Sequence, residues 1–476
     1  MKIELTNTLA LVRGASPDEY AWLTEYMTVA VPEVRRAPKR QTPAFLEDEG
    51  PKTFCAFSVL NRTFPAGLAV NLPKQARAAA FSVEVLDTRE RVCALELMQE
   101  HVAWLRDYQW AALCQLVRRG GRGVLRAVTG SGKTEICIAL TRVLPCEWLF
   151  LVHRADLVGQ TAERYSLRTS ETAGTFNEGV WKKGTCNFTV ATFQSVQAAL
   201  RRAQGGKGVK LFRGAKDVQG LLADTEALFV DECHNLSGDG NAQTLDLFEN
   251  AFYRIGASGT PLNRTDKATL QTLGCLGPVL ATIEKDELIA RGVLTQSRIR
   301  MIPCEQWASR ELEWLEIYAL LIVRSVKRND LLCAMASAAA KPALLFVDQL
   351  EHVKILADLL WASGIANDAV AGDVGKSTRT AKVEALVRGD ISVLISTVVF
   401  QEGVDIPALG SVIVGTGKQS DVACLQRIGR GMRAAAGKHE FEVWDVLDTG
   451  HWWTEKHAEN RRLAYVQAGH AVSLDW

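Results

Sequence analysis

The sequence contains no apolar stretch long enough to cross a bilayer. Its opening, MKIELTNTLALVRG, lacks the basic start and long apolar core of a secretory leader. The expectation from both absences is a cytoplasmic protein with no membrane partner. No C-x-x-C occurs among the 11 cysteines, which are scattered singly. An odd count without metal-ligand spacing argues against a zinc site or a disulfide frame and for reduced, mostly buried thiols. Internal repeats and low-complexity tracts are absent as well. There is almost no charge imbalance: the net charge is +1, so any basic surface for a polyanion must be local. What remains is ordinary soluble composition, 47% hydrophobic and 23% charged over 476 residues, enough for two or three domains with their own cores.

One string breaks this plainness: RAVTGSGKTEI at 126–136. Upstream, RGVLRAV is apolar and β-prone; downstream, TEICIALTRVL has helical spacing, so the glycines fall on a strand-to-helix turn. There Thr129, Gly130, Ser131 and Gly132 can bring backbone N–H groups onto a phosphate at a helix N-terminus. Lys133 supplies charge for the β- and γ-phosphates and Thr134 a hydroxyl for Mg²⁺. Ala127 stands where the pattern has its first glycine, and small size is what that position needs. A weaker match to the same pattern, AGDVGKST at 371–378, has Gly372 and Gly375 too close together and no clear apolar helix after it; it reads as a turn.

Strand-like and helical runs alternate from about 98 to 295 (GVLRAV, EWLFLVH, NFTVAT, ALFVDE, RIGASG) and again after 340 (PALLFVD, ISVLIST, SVIVGT). Such alternation predicts an α/β chain of parallel sheets covered by helices, with sites at the strand C-termini. The expected organisation is an accessory region at 1–97, a first lobe at 98–295, a connection at 296–340 and a second lobe at 341–476.

Two further strings supply chemistry. ALFVDECHNL at 227–236 is an apolar strand ending in acids: Asp231 can hold Mg²⁺ through water, and Glu232 can polarise an attacking water. His234 either couples this site to its neighbours or is simply packed. CLQRIGRGMR at 424–433 spaces Gln426, Arg430 and Arg433 by four and three, one face of a helix. Arginine has the planar, permanent charge suited to a transferring phosphoryl group. If that charge comes from the second lobe, hydrolysis requires the lobes to close, and the phosphate loop feeds a motor.

These strings, in this order, resemble the superfamily-2 helicases of the DExH type over about residues 100–450. LRDYQ at 105–109 resembles the adenine-reading segment, implying Arg106 and Gln109 as nucleotide contacts. VHRADLVGQ and ATFQS resemble strand-tracking motifs, implying His153, Arg154, Gln160, Thr192, Gln194 and Ser195 at the nucleic acid. ASGTP at 257–261 resembles the motif that senses closure. STVVFQEGVDIP at 396–407 implies Thr397 at a backbone phosphate and Gly403 and Asp405 at the nucleotide, Asp405 meeting its ribose. The resemblance implies two RecA-like motor lobes, ATP and Mg²⁺ as cofactors, a nucleic-acid partner and a monomeric motor.

Residues 64–89 and 457–472 also resemble the phage UvsW-type branch-migration helicases, which implies remodelling of branched or forked DNA in replication and recombination. Arg35, Arg36, Lys39 and Arg40 are the expected duplex-arm contact in the N-terminal region, and a solvated loop is the bland alternative. Another basic run, Arg201 to Lys216, reads equally well as a groove contact or an ordinary insertion. An RNA helicase would share the same core. A restriction-type translocase would need a nuclease site, and residues 1–100 contain no Glu-x-Lys. A non-catalytic clamp is disfavoured by the intact Lys133, Asp231, Glu232 and Arg430 set.

Overall fold

Ala227–Val230, Trp148–Val152 and Ala343–Phe346 are unbroken apolar runs, and every residue of each is buried. Strands apolar on both faces belong in parallel sheets with helices on either side, and two such sheets organise the chain. The computed structural model describes residues 1–474 except 31–52, 94, 96, 205–217, 238, 260–266, 310, 371–373, 398–405, 407–408, 419–431, 433, 435–437 and 439. The chain divides into two units, Met1–Val128 with Gly132–Ile283, and Thr129–Ser131 with Glu284–Trp476.

Unit 1 opens with a small α/β region. Its strands are β1 (Lys2–Leu5), β2 (Leu9–Arg13), β3 (Thr28–Ala30), β4 (Thr53–Cys55), β5 (Thr63–Pro65) and β6 (Glu84–Asp87). Four form a sheet in the order β5-β2-β1-β6, and β3 pairs with β4. The helix Pro17–Tyr26 begins at a capping box in which Ser16 Oγ accepts from Glu19 N (3.2 Å) and Glu19 Oε2 accepts from Ser16 N (2.8 Å). This region seats on the helix Lys267–Leu276: a Cβ on Gly67 would lie 2.1 Å from Leu273 O, so only glycine permits the approach.

The main sheet of unit 1 contains β7 (Arg122–Ala127), β8 (Trp148–Val152), β9 (Gly174–Asn177), β10 (Val180–Lys182), β11 (Phe188–Thr192), β12 (Ala227–Val230), β13 (Tyr253–Ser258) and β14 (Val279–Ile283). Their order is β10-β9-β11-β8-β12-β13-β7-β14, and only the β9–β10 pair is antiparallel. Phe150 stacks on Phe229 at 5.1 Å between neighbouring strands, within a core where each such side chain contributes roughly 1.5–3 kcal/mol. The consequence for the site is positional. Strand β13 alone separates β7 from β12, so the phosphate loop and the acidic loop leave the same edge about 10 Å apart.

Unit 2 is built on β15 (Gln296–Glu305), β16 (Ala343–Phe346), β17 (Asn367–Val370), β18 (Val393–Ser396), β19 (Ser411–Val414), β20 (Glu440–Thr449) and β21 (Ala471–Ser473). All are parallel, in the order β17-β18-β16-β19-β20-β15-β21. The stretch 296–340, expected as a connection, contributes β15 and the helix Val326–Ala338 to this unit. The weaker phosphate-loop match at 371–378 is followed by a helix after all, Lys376–Arg388; its weak apolar patterning hid it in the sequence. Gly375 there has φ −58°, unlike the positive values of Gly130 and Gly132. Among the described residues no helix is long and apolar enough to cross a membrane.

Candidate active site

Strand β7 ends at Ala127, and the chain turns through Thr129, Gly130, Ser131 and Gly132 into the helix Lys133–Val143. Gly130 and Gly132 have φ of 88° and 87°, conformations open to glycine and costly for other residues. A Cβ on Gly132 would also meet Gln109 Nε2 at 2.1 Å. Gln109, 5% exposed, thus packs beneath the loop, and its side-chain carbonyl accepts from the Arg106 backbone N–H at 3.0 Å. Arg106 is the N-cap of the helix Asp107–Arg118, so the two nucleotide candidates are held in one cap.

The acids follow β12 directly. Asp231 N–H donates to Leu151 O at 3.0 Å, extending the ladder by one residue. Glu232 then takes φ +47°, a left-handed backbone that costs a non-glycine residue about 1–3 kcal/mol and is found where function fixes geometry. The turn aims its carboxylate at the phosphate loop: Lys133 Nζ donates to Glu232 Oε1 at 2.9 Å. His234 Nδ1 lies 3.4 Å from Glu232 Oε2 and 3.1 Å from Ser258 Oγ at the end of β13. His234 thus stands between Glu232 and the end of β13.

Burial raises the Asp231 pKa to about 6, reinforced by the neighbouring Glu232 charge. Burial presses Glu232 the same way, but Lys133 and His234 outweigh it and hold the carboxyl below its ordinary value. Burial opposes the Lys133 charge, and Glu232 and Asp231 more than restore it. The two acids are therefore driven apart, with Glu232 the firmly ionised one. A hydroxyl at Thr134, a carboxyl at Asp231 and the Lys133 cation are groups of the kind that take a magnesium-bound triphosphate.

A cleft of roughly 350 Å³ opens beside this edge, lined by His153, Thr192, Gln194, Ser195 and Arg202 among others. Its members are cross-bonded: Thr192 Oγ1 donates to Ser195 Oγ at 2.8 Å, and Gln194 Nε2 donates to His153 O at 3.1 Å. Arg154 instead pairs with Asp156 at 3.3 Å, and Gln160 is exposed on the helix Ala155–Thr169; neither lines the cleft. Sequence reasoning missed the opposite wall, Phe176 to Gly179, from the β9–β10 hairpin. The signal was there in FNEGVW: a two-residue Glu178–Gly179 turn with φ of 50° and 77°, the hairpin geometry that glycine favours.

In unit 2, Thr397 follows β18 and is 7% exposed. Gly403, Asp405, Gln426, Arg430, Arg433, Arg35, Arg36, Lys39 and Arg40 lie outside the described residues, as does most of the 201–216 run.

Residues 103–263 match the family described as "Type III restriction enzyme, res subunit", and residues 327–435 the "Helicase conserved C-terminal domain". Among curated proteins, the ATP-dependent DNA helicase uvsW of Enterobacteria phage T4 is 26% identical over 251 residues, 51% of this chain and 49% of that protein. The DNA 3'-5' translocase XPB2 of Sulfurisphaera tokodaii is 23% identical over 372 residues, 69% of this chain and 78% of that protein. The chain spans between about half and two thirds of the length of the other leading relatives. In fold it is similar to a DNA-bound ATP-dependent Type ISP restriction-modification enzyme, LlaBIII, with TM-score 0.56 and 16% identity, over 76% of this chain and 30% of that one. Two matched segments, one on each parallel sheet, together with the phosphate loop and acids at one sheet edge, place the chain in the superfamily-2 helicases, resembling the UvsW type.

Proposed function

We propose that the protein is an ATP-driven DNA helicase or translocase that remodels branched DNA, by fork regression, branch migration or duplex unwinding, in phage or bacterial replication and recombination. The observation that carries the ATP-driven part of this reading is the Lys133–Glu232 ion pair beside Asp231 at the phosphate-loop edge of the sheet; the DNA part is supported by the likeness to uvsW and XPB2. Thr134 and Asp231 would hold Mg²⁺, which would supply charge neutralisation for the β- and γ-phosphates. A phosphate competes with Glu232 for Lys133, and once Lys133 turns to it the Glu232 carboxylate is released to polarise water. His234 carries the state of Glu232 to Ser258, the first polar residue of the closure-sensing string. Gln426, Arg430 and Arg433 are assigned to the charge that develops on the transferring phosphoryl group.

The cleft at His153, Thr192, Gln194 and Ser195 is the assigned track for the nucleic-acid backbone; such contacts grip phosphate and carry little sequence information. The names of two relatives, a DNA helicase and a DNA translocase, support DNA over RNA. The basic cluster Arg35, Arg36, Lys39 and Arg40 is the assigned contact for a duplex arm. The test is ATPase activity with single-stranded DNA and RNA, followed by unwinding of forks, Holliday junctions and tailed duplexes. Stimulation by DNA and preference for branched substrates are expected. Greater stimulation by RNA, or equal action on junctions and simple tails, would overturn the substrate assignment.

A further inference from the structure

Leu60 is 92% exposed, more than any other large apolar side chain among the described residues, and Val59 beside it is 58% exposed. Both stand in the turn 59–62 of the N-terminal region, between β4 and β5. Turns ordinarily take Gly, Pro, Asn, Asp or Ser, and burying one such aliphatic side chain is worth about 1.5–3 kcal/mol. This turn forgoes that gain at two successive positions.

The turn is nevertheless braced. Ser58 N–H donates to Thr63 O at 2.8 Å and Thr63 N–H to Ser58 O at 3.2 Å, closing its base. Within it, Asn61 N–H donates to Ser58 Oγ at 3.3 Å. Arg62 takes φ +58°, and its carbonyl accepts from the Val12 N–H of β2 at 2.8 Å. A non-glycine residue persists in that left-handed region only where its surroundings fix it. The root of the turn lies in the core: Phe57 and Phe64, 4% and 1% exposed, flank the paired Ser58 and Thr63 with ring centroids 6.4 Å apart. Two apolar side chains are thus held out in water at the tip of a fixed turn.

Charge indicates what they meet. From 53 to 83 the sequence has no acid, while Arg62, Lys74 and Arg77 fall within it. All three are exposed, and none pairs with a carboxylate among the described residues. Arg13, next to Val12 on β2, is by contrast paired with Glu4 at 3.1 Å. An apolar tip followed by an unneutralised arginine suits DNA, which proteins kink by pushing Leu, Ile or Phe between base pairs while cations hold the phosphates. Two side chains fall far short of the roughly 800 Å² per partner that a stable protein interface buries.

We infer that Val59 and Leu60 form a wedge that enters the base stack where a duplex arm branches, with Arg62 on the adjoining phosphate. The inference rests on the reading of the protein as a remodeller of branched DNA. Insertion replaces base–base stacking with contact to the aliphatic side chains, so it is least costly at a branch point, where stacking is already interrupted.

The test uses the full chain. Val59→Ser with Leu60→Ser removes the apolar tip at an exposed site where substitution should leave folding intact, and Leu60→Phe keeps it apolar. The probe is a DNA fork carrying 2-aminopurine at the branch point, which brightens on unstacking. Wild type and Leu60→Phe should brighten it on binding without ATP. The double serine variant should lose most of that rise, and its rate of fork opening should fall about tenfold. Its ATP hydrolysis on saturating single-stranded DNA should stay within about twofold, because no base pair is opened there. Arg62→Ala should weaken fork binding about threefold and lower its salt dependence. Unchanged brightening and fork opening in the double serine variant would overturn the inference, as would an equal loss of activity on single-stranded DNA. Unchanged fork affinity in Arg62→Ala would remove Arg62 from the contact. A wild-type chain that hydrolyses ATP with DNA but opens no fork fails the branched-DNA reading itself, and the wedge falls with it.

Discussion

The two units bury arginine in opposite ways. In unit 1, Arg254 is fully buried and donates to three backbone carbonyls, Ala251 O at 3.1 Å, Leu245 O at 3.1 Å and Phe248 O at 2.5 Å. Burial lowers its pKa to about 10. In unit 2, Arg461 is equally buried, but Asp445 outweighs burial and strengthens its charge. The first arrangement staples a turn to the start of its own strand, away from the opposite edge where Lys133 and Glu232, the proposed reacting groups, form their ion pair. The second locks charge pairs against the carbonyls of Gly415, Thr416 and Lys418. Unit 1 keeps an exchangeable pair where a ligand can compete; unit 2 keeps permanent pairs where nothing should move.

The sharpest test of this contrast is Arg430→Ala. It should cut DNA-stimulated turnover by about 10³–10⁵ while ATP affinity stays within a few fold, because the charge acts on the transition state. Steady-state ATPase assays beside nucleotide titrations check both halves. Next in size is Glu232→Gln, which should retain Mg-ATP binding and lose about 10²–10⁴ in the chemical step under single-turnover conditions. Lys133→Ala should lose binding as well, since its charge meets the phosphates in the ground state.

Stability separates the units further. Arg328→Met strands the Asp448 carboxylate and should cost about 3–5 kcal/mol in denaturant unfolding, while Arg328→Met with Asp448→Leu should recover most of it. Acid should then act on unit 2 through its buried histidines. His352, His457 and His470 have pKa values lowered by burial to about 3, 4 and 4. Above pH 6.5 both folded and unfolded chains leave them neutral. As pH falls below that value only the unfolded chain takes up the protons, so stability is lost progressively down to the folded values. Melting between pH 7 and 5 should show this slope, and its absence would mean these rings are not held neutral. The smallest effect expected is Gln109→Ala, which should relax a preference for ATP over GTP seen in competition assays.

Much of the phosphate side was legible because its chemistry is local. A strand, two glycines, a lysine and a helix are contiguous at 122–143, and Asp231 follows a four-residue apolar strand. The Lys133–Glu232 pair spans 99 positions, yet each partner announced itself in its own string. The far wall of the cleft did not: Phe176 and Trp181 look like ordinary strand aromatics until they pack together at 5.3 Å across the hairpin. Nor did Arg328 and Arg461, because a charge 120 or 16 residues from its partner reads as solvated surface in a sequence. Their burial is decided by sheet order, which periodicity does not encode. The helix Lys376–Arg388 escaped for the complementary reason: it carries no apolar stripe to read.

The sheet of unit 2 has one consequence for how the molecule can be cut and rejoined. Its earliest strand, β15, lies between β20 and the last strand, β21, with Arg298 opposite Ala471 and Arg300 opposite Ser473. The first and last segments of this unit are therefore neighbours held by a backbone ladder. A unit whose ends adjoin can be circularly permuted with a short bridge, because no contact has to stretch. New ends opened at the turn before β18, near Gly389, would leave the β15–β20 ladder and both buried arginine pairs within one continuous stretch of chain only if the bridge joins residue 474 back to 284.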